Sequence, residues 1–140
     1  MPLIEWNETL ELGYRPIDVE HMRLVAMVNE LYDDLLAGSS MTLIFAQFER
    51  LAGHAAAHFR LEEHLMDENA YPERLDHIAT HHLLQSQIKD FLERFNADEP
   101  VFSLDTVQFL KDWLLTHIKT MDKNLSDYLI RETPVNPDVS

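Results

Sequence analysis

Apolar residues recur along this chain at alternating steps of three and four, the mark of helices that bury one face. Four such stretches are separated by short runs of turn residues. The spacing predicts a first helix over about residues 19 to 37, with His21, Leu24, Val28, Leu31 and Leu35 on one stripe. Asp18 is its expected N-cap, and the preceding arm is expected to end at Pro16. Gly38-Ser39-Ser40 closes the stretch. A second helix is predicted over about 41 to 66, with stripe Ile44, Phe48, Leu51, Ala55, His58, Glu62 and Leu65. Pro72 suits the first turn of a third helix over about 73 to 95, whose stripe is His77, His81, Leu84, Ile88, Phe91 and Phe95. A fourth helix runs from about 104 to 131, and its stripe opens with Val107, Leu110, Leu114 and His117. The tail from 132 to 140 holds two prolines and is expected to fray. Short connections make sequential helices antiparallel neighbours, so the expected fold is an all-α, up-down-up-down four-helix bundle with an N-terminal arm, in one domain.

The stripes are not wholly apolar. His21, His58, Glu62, His77, His81 and His117 occupy positions where a core side chain is expected. A buried imidazole or carboxylate is costly without a partner. Residues four apart on a helix share a face, so His58 with Glu62, and His77 with His81, are pairs aimed the same way. Asp122 follows His117 by five residues, which puts the two about 140° apart on a regular helix. One extra residue accommodated in a π-bulge between His117 and about Leu125 would bring them together. The apolar pattern leans that way. A stripe shifted by one residue continues Asp122, Leu125, Leu129, whereas the unshifted one continues Met121, Asn124, Tyr128. The simplest explanation for so many converging ligands is a shared pair of metal ions.

Composition narrows the chemistry. The 140-residue chain has no Cys, which removes disulfides, zinc-thiolate sites and iron–sulfur clusters. A formal net charge of −14 argues against nucleic acids and anionic membranes as partners. No apolar run approaches the roughly 20 residues of a membrane span, and the N-terminus lacks the plan of a signal peptide. A cytoplasmic location is the default expectation, and no protein partner is indicated. Two six-coordinate metals offer twelve positions. Five imidazoles fill five, two bridging carboxylates fill four and a bridging oxide or hydroxide fills two. One position is left, which suits a single small diatomic or anion. Iron, zinc, manganese and copper all accept this donor set.

At this point the sequence resembles the hemerythrin family, in particular the bacterial single-domain hemerythrins. The resemblance covers the chain to about residue 130 and rests on Trp6 in the arm, Asp18-Val19-Glu20-His21, His58-Phe59 with Glu62-Glu63 and Met66, Tyr71-Pro72, His77 with His81, Trp113-Leu114, His117-Ile118 and Asp122. A member of this family is itself an example of the up-down-up-down bundle, so family and fold expectations are linked. The resemblance implies two non-haem irons bridged by an oxide or hydroxide. One would be held by His77, His81 and His117, the other by His21 and His58, with Glu62 and Asp122 bridging both. It implies reversible dioxygen binding at the vacant position, for storage, delivery or sensing, in a dry pocket lined by Leu114 and Ile118 with Phe59 and Trp113 nearby. The chain departs from some relatives at Leu84 and Leu125, where an aromatic and a Tyr are common. Neither departure removes a ligand.

Blander readings apply to the remaining groups. His54, His64 and His82 fall off the stripes and read as flanking or exposed, Glu63 reads as surface, and Asn29 is free to bond a neighbouring helix. A ferritin-like oxidase would need Glu three residues before a ligating His, and no His here has one. The expectation is therefore a binding protein and not an enzyme, with nitric oxide or peroxide handling at the same vacancy as the alternative.

Overall fold

The computed structural model describes residues 2 to 96 and 103 to 132. Its helices are α1 (Arg15–Leu36), α2 (Met41–Glu68), α3 (Arg74–Asn96) and a fourth rod. That rod comprises α4 (Leu104–His117), a π-helical turn (Ile118–Asp122) and α5 (Lys123–Glu132). Together they form a four-helix bundle of alternating direction, as the periodicity predicts. An arm with a short 3-10 turn (Glu8–Leu10) lies against it. The predicted tail and the loop before Ser103 fall largely outside the described residues.

Two helix starts differ from expectation. Asp18 is not the N-cap of α1: the helix begins four residues earlier than expected, at Arg15, with Tyr14 at the cap position and Pro16 inside the first turn. Proline is preorganised for that turn and lacks a donor that would go unused there. Asp18 instead turns its carboxylate back on the arm and accepts hydrogen bonds from the backbone N–H groups of Leu12 and Gly13, at 2.9 and 3.0 Å. Gly13 takes a left-handed φ of 91°, which lets the chain reverse into α1. At the other end of α2, Pro72 precedes α3 instead of entering it. The α2 terminus closes in a Schellman arrangement, with Tyr71 N–H donating to Met66 O at 3.0 Å. Asn29 bonds the arm and not a neighbouring helix: its amide accepts from Ile4 N–H at 2.7 Å and donates to Ile4 O at 2.8 Å.

The stripes read from the sequence are the buried faces. Leu24, Val28, Leu31, Ile44, Phe48, Leu51, Leu84, Ile88, Val107, Leu110 and Leu114 form the main apolar cluster. Ile17, Met66, Tyr71, Leu125 and Leu129 belong to a second, smaller one. On α1, α2 and the fourth rod the buried His and acid residues lie between a member of one cluster and a member of the other, and on α3 they lie between Tyr71, in the preceding turn, and Leu84. The polar groups thus form a layer across the bundle, sealed by hydrocarbon above and below. None of the described helices is long and apolar enough to cross a membrane.

The π turn explains the fourth rod. Lys123 N–H reaches back five residues to Ile118 O, so one residue is absorbed without changing the downstream face. Asp122, Leu125 and Leu129 are buried while Asn124 is exposed, the shifted pattern and not the unshifted one. Removing one exposed residue of this turn, Thr120, should therefore convert it to a regular helix and leave Asp122 on the His117 face. Deletion of Thr120 is expected to preserve helical content and metal stoichiometry, whereas one Ala inserted after Thr120 should rotate Asp122 away by about 100° and lose metal. Circular dichroism and metal analysis of the two variants decide it. Loss of metal on deletion, with retention on insertion, would reverse the register argument.

Candidate metal centre

Seven ionisable side chains from four helices meet in the polar layer: His21 from α1, His58 and Glu62 from α2, His77 and His81 from α3, and His117 and Asp122 from the fourth rod. Each is at most 4% exposed. All five imidazoles turn Nε2 inward. Their donor atoms sort into two sets. One is Glu62, His77, His81, His117 and Asp122; the other is His21, His58, Glu62 and Asp122. The two carboxylates belong to both.

The oxygens show how they are shared. Glu62 Oε1 lies 3.0 Å from His81 Nε2 and 3.3 Å from His77 Nε2. Asp122 Oδ1 lies 3.0 Å from His77 Nε2 and 3.1 Å from His117 Nε2. The second oxygens face the other side: Glu62 Oε2 is 3.1 Å from His58 Nε2, and Asp122 Oδ2 is 2.7 Å from His21 Nε2. Each carboxylate therefore presents one oxygen to the three-histidine set and one to the two-histidine set.

Two observations test whether these groups fit metal ions. First, donors bound to one six-coordinate ion at roughly 2.1 Å stand about 3 Å apart along an octahedral edge. The N···O distances within the sets cluster there, and His77 Nε2 and His117 Nε2 are 3.2 Å apart. Two imidazole nitrogens at that distance in a dry interior suit a shared cation. Second, His58 Nε2 and Glu62 Oε2 are buried and 3.1 Å apart, yet neither is aligned for a hydrogen bond. Both aim at common space and not at each other. The residues fit a dinuclear site with three imidazoles on one side and two on the other.

Electrostatics point the same way. Burial alone would lower the His58 pKa, but the negative charges of Glu62 and Asp122 beside it outweigh burial and raise it to about 10. His77, also penalised by burial, is lifted to about 9 by Asp122 and Glu62. Glu62 is pushed up by burial and by the Asp122 charge, yet His58 and His77 hold it down at about 2. Burial likewise opposes ionisation of Asp122, and the surrounding imidazoles of His117, His21, His58 and His77 keep it well below the ordinary carboxylate range. Two carboxylates stay ionised in hydrocarbon, and cationic partners must accompany them.

A narrow cavity with about 30 Å³ of free room adjoins the centre, where one water needs roughly 10–15 Å³. It touches His58, His117 and Asp122, and its walls include Phe59, Leu84, Trp113 and Leu114. Three of the four expected pocket residues line it. Ile118 does not: it is fully buried and packs in the main apolar cluster. Phe59 stacks on His81 at 4.1 Å between ring centroids, and Trp113 stacks on His117 at 4.5 Å. Leu125 packs in the smaller cluster and does not line the cavity.

The leftover histidines stay outside. His54 lines a surface groove with Arg23, Glu30 and Arg50, His64 pairs with exposed Glu68, and His82 is exposed. Glu63 is the group that sequence reading missed. It is 27% exposed, and its Oε2 accepts from His81 Nδ1 at 2.9 Å. Nothing in its spacing separates it from any surface Glu, because its partner is on another helix.

Residues 12–129 match the family model "Hemerythrin HHE cation binding domain". The chain is 33% identical over 126 residues to the bacteriohemerythrin of Methylococcus capsulatus, covering 88% of this chain and 94% of that one. It is 29% identical to myohemerythrin-1 of Phascolopsis gouldii, over 84% of this chain and 87% of that one. A crystal structure of wild-type hemerythrin superposes with a TM-score of 0.84 at 29% identity, covering 91% of this chain and 98% of that one.

Two predictions follow from charge. In the metal-free chain, the raised imidazoles stabilise the fold fully below their ordinary 6.5 and cease to do so as pH rises through 9 to 10. The lowered Glu62 stabilises it above its ordinary 4.5, an effect lost as pH falls through about 2. Metal-free stability should peak between those ordinary values. Added metal must displace imidazole protons, so its stabilising effect should grow with pH over the neutral range. Urea melts with and without metal at several pH values measure both; a metal effect independent of pH would contradict the ligand chemistry. Separately, Glu62→Ala should lose metal and destabilise the fold by roughly 3–5 kcal/mol, the scale for removing one partner of a buried charged pair. His54→Ala should keep both metal and stability, and equal metal loss in the two variants would refute the assignment.

Proposed function

The chain belongs to the hemerythrin HHE cation-binding family, and from that premise we propose that it binds dioxygen reversibly at a non-haem di-iron centre. The observation that carries the reading is the division of donors. His77, His81 and His117 would hold one ion, His21 and His58 would hold the other, and Glu62 and Asp122, whose oxygens belong to both donor sets, would be shared. With both carboxylates shared, the second ion would have one protein ligand fewer than the first. When bound, the iron pair supplies the electrons and the open coordination position that capture a diatomic ligand.

The chain's own groups set the conditions for release. Phe59, Leu84, Trp113 and Leu114 give the cavity a mostly apolar wall, with His58, His117 and Asp122 at its polar end. Five neutral donors and only two carboxylates keep the total negative charge low, which favours capture of a ligand over deep oxidation chemistry. Nitric oxide matches the cavity in size and polarity. Hemerythrins are oxygen-binding proteins and not typical enzymes, and we read this chain likewise as a carrier, store or sensor.

An anaerobic ferrous sample exposed to air should gain visible absorption that disappears under inert gas and returns on re-exposure. Irreversible conversion to a ferric form in the first cycle, with turnover of added peroxide, would overturn reversible binding in favour of an enzyme.

A further inference from the structure

The five imidazoles are not held alike. Nδ1 of His21, His58, His77 and His117 is buried with no hydrogen-bond partner among the described residues. His81 is different. One turn of α2 grips it on three sides: Phe59 stacks on its ring face at 4.1 Å, Glu62 Oε1 faces its Nε2 at 3.0 Å, and Glu63 Oε2 accepts from its Nδ1 at 2.9 Å. These three residues are spaced i, i+3 and i+4, so a single helical turn places all of them against α3. His81 itself is fully buried, while Glu63 keeps part of its carboxylate in water.

We propose that Glu63 is a positioning residue for the metal centre, which fixes the His81 ring with Nδ1 protonated and Nε2 free to ligate, and so secures the three-histidine subsite. The inference rests on the dinuclear reading above. A neutral imidazole carries its proton on either nitrogen, and only the tautomer protonated at Nδ1 has its lone pair aimed at the centre. A carboxylate accepts and does not donate, so Glu63 selects that tautomer. It also makes the ring a better donor to a cation, as carboxylate–imidazole–metal arrangements do. Phe59 adds the remaining restraint by blocking rotation of the ring about its face. The neighbouring exposed pair, His64 with Glu68 at 3.2 Å, has the same two chemical groups with no access to the centre and serves as an internal control.

The test uses the full chain loaded with two equivalents of zinc, a diamagnetic probe. In the unmodified protein, nitrogen-15 NMR should show His81 with a slowly exchanging Nδ1–H. Chelator competition should show two zinc ions retained. Glu63→Ala should lose the protected His81 signal and weaken retention of one zinc ion by about 10–100-fold, with the other unchanged. Glu63→Gln keeps an accepting oxygen and should restore both readouts in part, while Glu68→Ala should match the unmodified protein. If Glu63→Ala keeps the protected Nδ1–H and the zinc retention, Glu63 does not position the ring and the proposal is wrong. If the unmodified protein holds no zinc at all, the dinuclear reading itself fails, and this inference with it.

Discussion

Seven ionisable side chains sit where a helical bundle of this size should have hydrocarbon, and the rest of the molecule is arranged around that fact. Two carboxylates and five imidazoles at no more than 4% exposure cannot be solvated by water. They must be neutralised by one another or by cations. The geometry serves the second option better. The Nε2 atoms converge, two imidazole nitrogens stand 3.2 Å apart, and His58 and Glu62 approach without forming a hydrogen bond. The apolar clusters on either side raise the electrostatic strength of every contact within the layer and also the cost of leaving one unmade.

That constraint gives meaning to the one irregular element. Asp122 must return to the face of His117 although it is five residues away, and a π turn achieves this while leaving Leu125 and Leu129 in the core. The arm is a comparable accommodation at the other end of the layer. Asp18 and Asn29 satisfy arm backbone groups from α1, and Ile4 and Leu10 are buried against the bundle.

Function in this scheme follows from asymmetry. Shared carboxylates with three imidazoles on one side and two on the other leave the second ion of the proposed centre short of one protein donor. The cavity beside His58 is small and mostly apolar. A second layer of contacts acts on the three-histidine side, where Phe59 and Glu63 hold His81 and Trp113 stacks on His117. The side that would stay fully coordinated is thus braced, and the side that would take ligand adjoins open space.

Much of this was legible in the chain alone. Helical periodicity marked the four rods, and the His and acid residues on their stripes marked every member of the buried cluster. The mismatch between His117 and Asp122 even required the π turn. These features are local: they depend on spacing along one helix, which sequence records directly. What the sequence left undetermined is relational. The start of α1 depended on whether Asp18 capped its own helix or bonded the arm. Asn29 found its partner in that arm, Ile118 packed in the core instead of the cavity, and Glu63 looked like any surface acid until α3 brought His81 within 2.9 Å. A side chain's own helix sets which way it points. Only the packing of helices against each other decides what it meets there.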